Sequence, residues 1–541
     1  MPGPCHAGAQ HRYPPRRFAL AGWFTAEFAD SPATRRATEE VRRFRVRHLR
    51  WSHSCGEAWY EPSLRLLYID GQWTTPLSET TTPIIEAATG QRLGDLPEAG
   101  AKEVDLAVAA ARAAQPAWEA TPAVERADLL ERLAGAIERR SKQISEIVSR
   151  QNGMPLALST SANVHAVAGT LRYYAALARG GFADQERPAL AYPGTVRLQR
   201  RPVGTVAVIV PWNYPLGLTA MKLGPALAAG CTVVLKPAPE TSLDAAYLME
   251  ATEDAGLPAG VVNLITGGRQ TGDLLVRHAG IDKVSFTGST AAGRIIGGIC
   301  GTALKPVTLE LGGKSAAVVL DDADLPTVMK GLGFLSFANA GQSCFLNSRV
   351  LAPRNLYDAV VDGLAGLARS FVLGNPLDTT TTMGPLVSSR QRDRVEGYIA
   401  TGRSEGARLV AGGGRPPAQE RGWFVEPTVF ADVDNAMTVA REEIFGPVVC
   451  VIPYDTVADA VDIANDSDYG LAGSVWSADP DRALGVARQI QTGSIGLNMW
   501  TLDPGSPFGG WKASGVGKEY GPEGLDAYLD VKSIFVPARP A

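Results

Sequence analysis

The stretch GTVAVIVPWNYPLGLTAMKLGPALAAGCTVVLKPAPETSLDAAYLMEATEDAGLPAGVVNLITGGRQTGDLLVRHAGIDKVSFTGSTAAGRIIGGICG (residues 204–301) decides the fold. Short apolar runs recur along it, as GTVAVIV, CTVVLKP, VVNLITG and KVSFTG. Each is followed by a helical stretch, in turn TAMKLGPALAAG, SLDAAYLMEATEDAG, TGDLLVRHAG and TAAGRIIGGICG. Strands that are apolar on both faces and alternate with helices form a parallel sheet covered on both sides. The predicted class is therefore α/β, with a doubly wound, Rossmann-type architecture. Such sheets bind ligands beyond the carboxyl ends of their strands. At those ends stand Pro211 to Asn213, Lys236, Gly267 with Gly268, and Gly288.

Working outward, LLYIDGQW reads as a strand and turn. KEVDLAVAAARAAQPAWEA and ERADLLERLAGAIERRSKQISEIVSRQNG read as amphipathic helices, the second stopped by Gly153 after basic residues. The segment AYPGTVRLQRRPVG then turns to β-branched and alternating residues, and a second αβ-rich region runs from about Leu311 to Pro507. No internal repeat is evident, and low complexity is limited to AGGGRPPAQERG near residue 415.

Residues 1–64 differ in texture, with ten Arg, no Lys and three Trp. The apolar segment Phe18 to Phe28 is too short for a signal peptide and is interrupted by Glu27. The Arg-rich, Lys-free composition is partly that of an organellar transit peptide, but Glu39, Glu40, Glu57 and Glu61 oppose it. The expectation is an extension that is disordered, or that the working protein does not need.

At 541 residues the chain is long enough for more than one packed lobe. Its 45% hydrophobic and 20% charged residues are near soluble averages, and no apolar run is long enough to cross a membrane. A net charge of -4 provides no field for nucleic acid. Small molecules are the expected partners. The six cysteines, Cys5, Cys55, Cys231, Cys300, Cys344 and Cys450, are few and irregularly spaced, as expected of a reducing, cytoplasmic setting without zinc or disulfides. Only His165 and His278 lie beyond residue 60, so any chemistry in the body must manage with few imidazoles.

Taken singly, Cys344, Glu310, Lys236 and the GGRQTG cluster (267–272) read as ordinary packing, surface or turn residues. Together they carry a resemblance. PWNYP (211–215), LELGGKS (309–315), FANAGQSCFLNSR (337–349), EEIFGPV (442–448) and PFGGWKASGVGKEYG (507–521) occur in one order across some 300 residues. From about residue 66 to 541 the chain resembles the aldehyde dehydrogenase superfamily, of the hydrolytic, non-acylating type.

The resemblance assigns Cys344 as nucleophile, Glu310 as general base, and the Asn213 side-chain amide with the Cys344 backbone N–H as oxyanion donors. The chemistry needs all three. A carbonyl releases hydride only after a nucleophile has made it tetrahedral, and thiolate is the strongest such nucleophile at neutral pH. The oxyanion so formed needs preorganised donors. The thioester left behind needs an activated water, for which a carboxylate of raised pKa is suited. Polar surroundings favouring the thiolate are expected at Cys344. Relatives that transfer the acyl group to coenzyme A tend to lack this glutamate, so its presence implies the free acid as product.

For the cofactor, NAD with NADP left open, the resemblance places Lys236 and Glu443 on ribose hydroxyls. It puts Trp212, Leu311 and Phe445 against the cofactor, and Gly268, Gly288 and Ser289 near adenosine and pyrophosphate. Pro239 stands where many NAD-preferring relatives carry a glutamate on the adenosine ribose, which weakens repulsion of a 2′-phosphate. The substrate tunnel is expected to be lined by Tyr214, Leu218, Met221, Phe345, Trp500, Thr501, Leu502 and Phe508, mostly apolar and without Arg or Lys. That implies an uncharged aliphatic or aromatic aldehyde.

The resemblance also implies a domain plan. Residues 65–183 and 203–311 form the dinucleotide-binding domain, 312–508 the catalytic domain, and 184–202 with 509–541 an oligomerisation segment for a homodimer or homotetramer. Three rivals stay in view: a cysteine hydrolase, for which neither remaining histidine lies in a recognisable motif; a coenzyme A-acylating dehydrogenase; and a non-catalytic binding protein on the same fold.

Overall fold

The computed structural model describes residues 67–181 and 185–538. The expectations for residues 1–64 lie outside them. The four apolar runs become the parallel strands Thr205–Ile209, Thr232–Lys236, Val262–Leu264 and Lys283–Thr287, joined by Val307–Glu310. Across the sheet their order is third, second, first, fourth, fifth, so the direction of winding reverses between Thr205–Ile209 and Lys283–Thr287. A crevice opens at such a reversal. Antiparallel strands complete both edges: Leu67–Ile69 and Gln72–Thr74 on one side, Gly515–Val516 on the other.

Period-two alternation sends successive residues of each strand to opposite faces of the sheet. Val206 and Val208 join a core with the helices Ala123–Arg139, Ala166–Arg179, Pro215–Ala229 and Asp244–Ala255. Ala207 and Ile209 face the opposite core, built with Ala101–Ala120, Arg269–Arg277 and Thr290–Thr302. Each strand is covered on both faces, as a doubly wound sheet requires.

From Glu310, the last residue of its strand, the chain crosses in four residues, LGGK, to Ser315–Val319 in a second sheet. That sheet has seven strands, and all its pairings are parallel except that of the edge strand Arg408–Ala411. A third, antiparallel sheet joins Gln185–Pro188, Gly194–Pro202 and Leu529–Pro537. Leu529–Pro537 is its edge strand and leaves Val531 and Phe535 exposed.

Two local readings are corrected. The stretch from Glu125 to Asn152 is two helices, Ala123–Arg139 and Ser141–Asn152, broken at Arg140. There the guanidinium turns across to Glu250 and Asp254 on a neighbouring helix, a tertiary anchor that periodicity does not reveal. The segment 509–541 also does more than form a third sheet, since Gly515–Val516 closes the edge of the first beside Glu310. Among the described residues no helix is long and apolar enough to cross a membrane, and Cys231, Cys300, Cys344 and Cys450 are all free thiols.

Candidate active site

Glu310 and Cys344 come from different sheets and meet where the chain passes between them. Glu310 ends the fifth parallel strand of the first sheet, and Cys344 lies on the loop between helix Leu325–Phe337 and strand Asn347–Pro353 of the second. The loop is held by an unusual backbone: Asn339, Ala340 and Gly341 all have positive φ, at 52°, 53° and 77°. A Cβ on Gly341 would sit 2.0 Å from the Gly446 carbonyl oxygen, so only glycine permits this approach to the Phe445–Gly446 segment.

Polar contacts then lock the loop. The Asn213 amide Nδ2 donates to the Gln342 carbonyl at 3.0 Å, Asn339 Nδ2 donates to the Asn213 carbonyl at 3.0 Å, and Tyr214 Oη shares a hydrogen with Ser343 Oγ at 2.7 Å. Asn213 is buried, retains a second amide N–H, and belongs to the segment beside the nucleophile, the position expected of an oxyanion donor.

Electrostatics differ from expectation at the nucleophile. Burial, then the carboxylates of Glu443 and Glu310, hold the Cys344 thiol well above its ordinary range. Glu310 is also buried, and its carboxyl makes no side-chain hydrogen bond among the described residues, with the Gly510 backbone N–H alone turned weakly towards it. Burial first, and Glu519 second, raise its pKa well above the usual carboxylate range. A buried carboxyl of raised pKa beside a thiol is the arrangement a general base for a water needs.

Beneath Glu310 lies a buried pair that the sequence reading missed. Lys222 Nζ is fully buried, forms an ion pair with Glu519, and donates to Thr287 Oγ1 at 2.7 Å. Glu519 Oε2 has no partner among the described residues. Glu519 also pairs through its backbone with Phe508, so this charge lies one residue from the predicted substrate wall. A signal existed: Lys222 is the single charge in TAMKLGPALAA, a helix otherwise apolar all round.

The other predicted residues fall in two places. Lys236, Gly268, Gly288 and Ser289 line a cavity of about 580 Å³ at the reversal of the first sheet, walled by helices Arg269–Arg277 and Thr290–Thr302. Lys236 Nζ donates to the Pro237 and Gly267 carbonyls at 3.0 and 2.7 Å, and burial lowers its pKa to about 8. Glu443 lies nearer the nucleophile loop, where Oε1 accepts from the Gly313 N–H at 2.9 Å and burial raises its pKa to about 7. Trp212 meets Phe445 edge to face, with ring centroids 5.3 Å apart. Leu311 is a core residue, wedged against Gly293 of the cavity's wall helix, and does not line that cavity.

The expected tunnel residues share one apolar region with Cys344. Tyr214, Leu218, Met221, Trp500, Leu502 and Phe508 pack in the same cluster as the thiol, and Phe345 stacks on Trp500 with centroids 4.7 Å apart. Leu218 and Met221 are nearly inaccessible, while Thr501 is exposed.

The cavity suits a dinucleotide. Gly268 and Ser289 cap the amino ends of both wall helices, which aim backbone N–H groups where phosphates are favoured. Small residues, Gly268, Gly272, Gly288 and Ala292, allow close approach. A cavity of this lining at the reversal of a doubly wound sheet marks a nucleotide-binding α/β protein.

Comparison makes the class specific. Residues 73–534 match the model of the aldehyde dehydrogenase family. The chain is 49% identical to geranial dehydrogenase of Castellaniella defragrans over 472 residues, 87% of this chain and 98% of that one. It is 41% identical to human mitochondrial aldehyde dehydrogenase over 479 residues, 87% and 91% of the two chains. The crystal structure of a Mycobacterium tuberculosis aldehyde dehydrogenase complexed with NAD+ superposes with a TM-score of 0.85 at 46% identity, covering 87% and 98%. The chain belongs to the aldehyde dehydrogenase family, a class of NAD(P)-dependent aldehyde oxidoreductases.

Proposed function

We propose that this protein oxidises an uncharged aliphatic or aromatic aldehyde to the free carboxylic acid with NAD, through a thioester on Cys344. The observation that carries the reading is the pairing of a thiol with a buried carboxyl that makes no side-chain hydrogen bond among the described residues, in one apolar site. Lys236 and Glu443 would hold ribose hydroxyls, with Trp212 and Phe445 against the cofactor and Gly268, Gly288 and Ser289 near its adenosine and pyrophosphate. When bound, NAD supplies the hydride acceptor that converts the thiohemiacetal to the thioester.

The chain's own groups perform the remaining steps. Cys344 gives up its proton to water as its sulfur bonds to the carbonyl carbon and the C=O double bond opens to an oxyanion, which receives hydrogen bonds from the Asn213 amide and the Cys344 N–H. After oxidation, Glu310 takes a proton from water, the hydroxide forms the new C–O bond, and the C–S bond breaks to return the thiolate. Lys222 and Glu519 set the field in which Glu310 gains and loses that proton.

Substrate class rests on Phe345, Trp500 and Phe508, which present stacked and edge-on rings without a cation. Geranial, the aldehyde in the name of one relative, is uncharged. The exposed edge strand Leu529–Pro537 supports assembly as a homodimer or homotetramer. The test is reduced-nicotinamide formation with aliphatic, aromatic and carboxylated aldehydes, with and without free coenzyme A. Faster turnover of uncharged aldehydes, unaffected by coenzyme A, is expected. Preference for carboxylated semialdehydes would overturn the substrate class, and acceleration by coenzyme A the hydrolytic route.

A further inference from the structure

We infer that the ion pair between Glu240 and Arg390 governs the choice between NAD and its 2′-phosphorylated form. The inference rests on the reading that the cavity at the sheet reversal holds the adenosine half of the cofactor. The sequence places Pro239 where a ribose-binding carboxylate is expected, and a proline offers no charge. In the structure Pro239 opens a short 3-10 turn, Pro239–Thr241, and the next residue, Glu240, lines the cavity in its stead. After burial, its carboxylate is the largest influence on Lys236, the lysine assigned to ribose.

The partner of Glu240 comes from the other half of the molecule. Arg390 lies in the first turn of helix Ser389–Ser404 and also lines the cavity, with Nη2 2.9 Å from Glu240 Oε1. The two differ in freedom: the Glu240 side chain is 24% exposed and that of Arg390 82%. The carboxylate is fixed at the rim, and the guanidinium can swing away. A third charge, Arg269, lines the cavity without an ion-pair partner among the described residues. Asp273, the remaining acidic lining residue, is engaged with Arg277 at 2.9 Å.

Two consequences follow. With Glu240 present, the rim carries an acceptor for ribose hydroxyls and a negative charge that opposes a phosphate, partly cancelled by Arg390. Without that carboxylate, Arg390, Arg269 and Lys236 face the cavity with no free acidic group among its described lining, and a 2′-phosphate becomes welcome. Discrimination of this kind depends on a repulsive element as much as on an attractive one. The two partners must therefore act in opposite directions on selectivity, which a merely structural ion pair would not do.

The test is calorimetric titration of the full chain, wild type, Glu240→Gln, Arg390→Gln and the double variant, with ADP-ribose and with 2′-phospho-ADP-ribose. Glu240→Gln is expected to improve affinity for the phosphorylated ligand, relative to ADP-ribose, by about tenfold. Arg390→Gln is expected to weaken it by about fivefold, a smaller effect because this cation is the more solvated. The ratio of kcat/KM with NADP to that with NAD should shift in the same directions. A relative affinity unchanged within about twofold in both single variants, while ADP-ribose still binds, overturns the inference and leaves the cofactor cavity standing. Failure of ADP-ribose to bind folded wild type overturns both.

Discussion

Replacing Glu310 by Gln should make the protein more stable and almost inactive at once. The substitution is isosteric at a buried side chain that makes no side-chain hydrogen bond among the described residues, and the retained amide oxygen can still accept from the Gly510 N–H turned towards it. Burial, reinforced by Glu519, makes the folded protein hold the Glu310 proton more tightly than the unfolded chain does. The sign follows from linkage. Wild-type stability from this group is fully present below the unfolded pKa, about 4.3, and is lost as pH rises through the folded value. Glutamine does not titrate. Glu310→Gln should therefore match wild type near about pH 4 and exceed it progressively towards alkaline pH, by about 1.4 kcal/mol for each pH unit of the shift traversed. Loss of the base should slow thioester hydrolysis by about 10²- to 10⁴-fold, or about 3–5.5 kcal/mol of barrier. Thioester formation does not use Glu310 as its base. Stopped-flow mixing with aldehyde and NAD should then show one rapid reduced nicotinamide per site followed by stalling, and urea titrations at acidic and alkaline pH should show the stability difference. Steady turnover within about threefold of wild type, or a variant less stable than wild type at alkaline pH, would refute this reasoning.

Other consequences are open to direct measurement. Lys222→Met should destabilise the protein by about 3–5 kcal/mol, because it leaves Glu519 as a buried charge whose main partner is gone. Adding Glu519→Gln should restore much of the loss in a thermal melt, and equal melting of single and double variants would count against the pair. Asn213→Ala should lower kcat by about 10²- to 10³-fold through loss of the oxyanion donor, with a smaller effect on cofactor binding; an unchanged kcat would remove Asn213 from that role.

Much of the fold was legible because its signals are local. GTVAVIV and CTVVLKP are buried on both faces, and such strands need an unbroken apolar sequence. Cys344, Glu310 and Asn213 were legible only in combination, through the motifs that surround them. What escaped depends on long-range contact. Arg140, where the two helices part, is anchored to Glu250 and Asp254, more than a hundred residues away. Glu519 becomes a partner of Lys222 only because Gly515–Val516 returns to the edge of the first sheet. Likewise Glu240 enters the cofactor cavity through the turn that Pro239 starts, and an alignment of charges in sequence places it one position away. The surroundings of Cys344 were not legible because burial, Glu443 and Glu310 come together there in space alone.

The central claim is that the acyl group rides on Cys344, and acid-quenched mass spectrometry during turnover tests it most directly. Mixing Glu310→Gln with aldehyde and NAD should trap an adduct of acyl mass on the peptide that contains Cys344, and the further change Cys344→Ala should abolish both adduct and turnover. An adduct on another residue, or sustained oxidation by folded Cys344→Ala protein, would contradict the account.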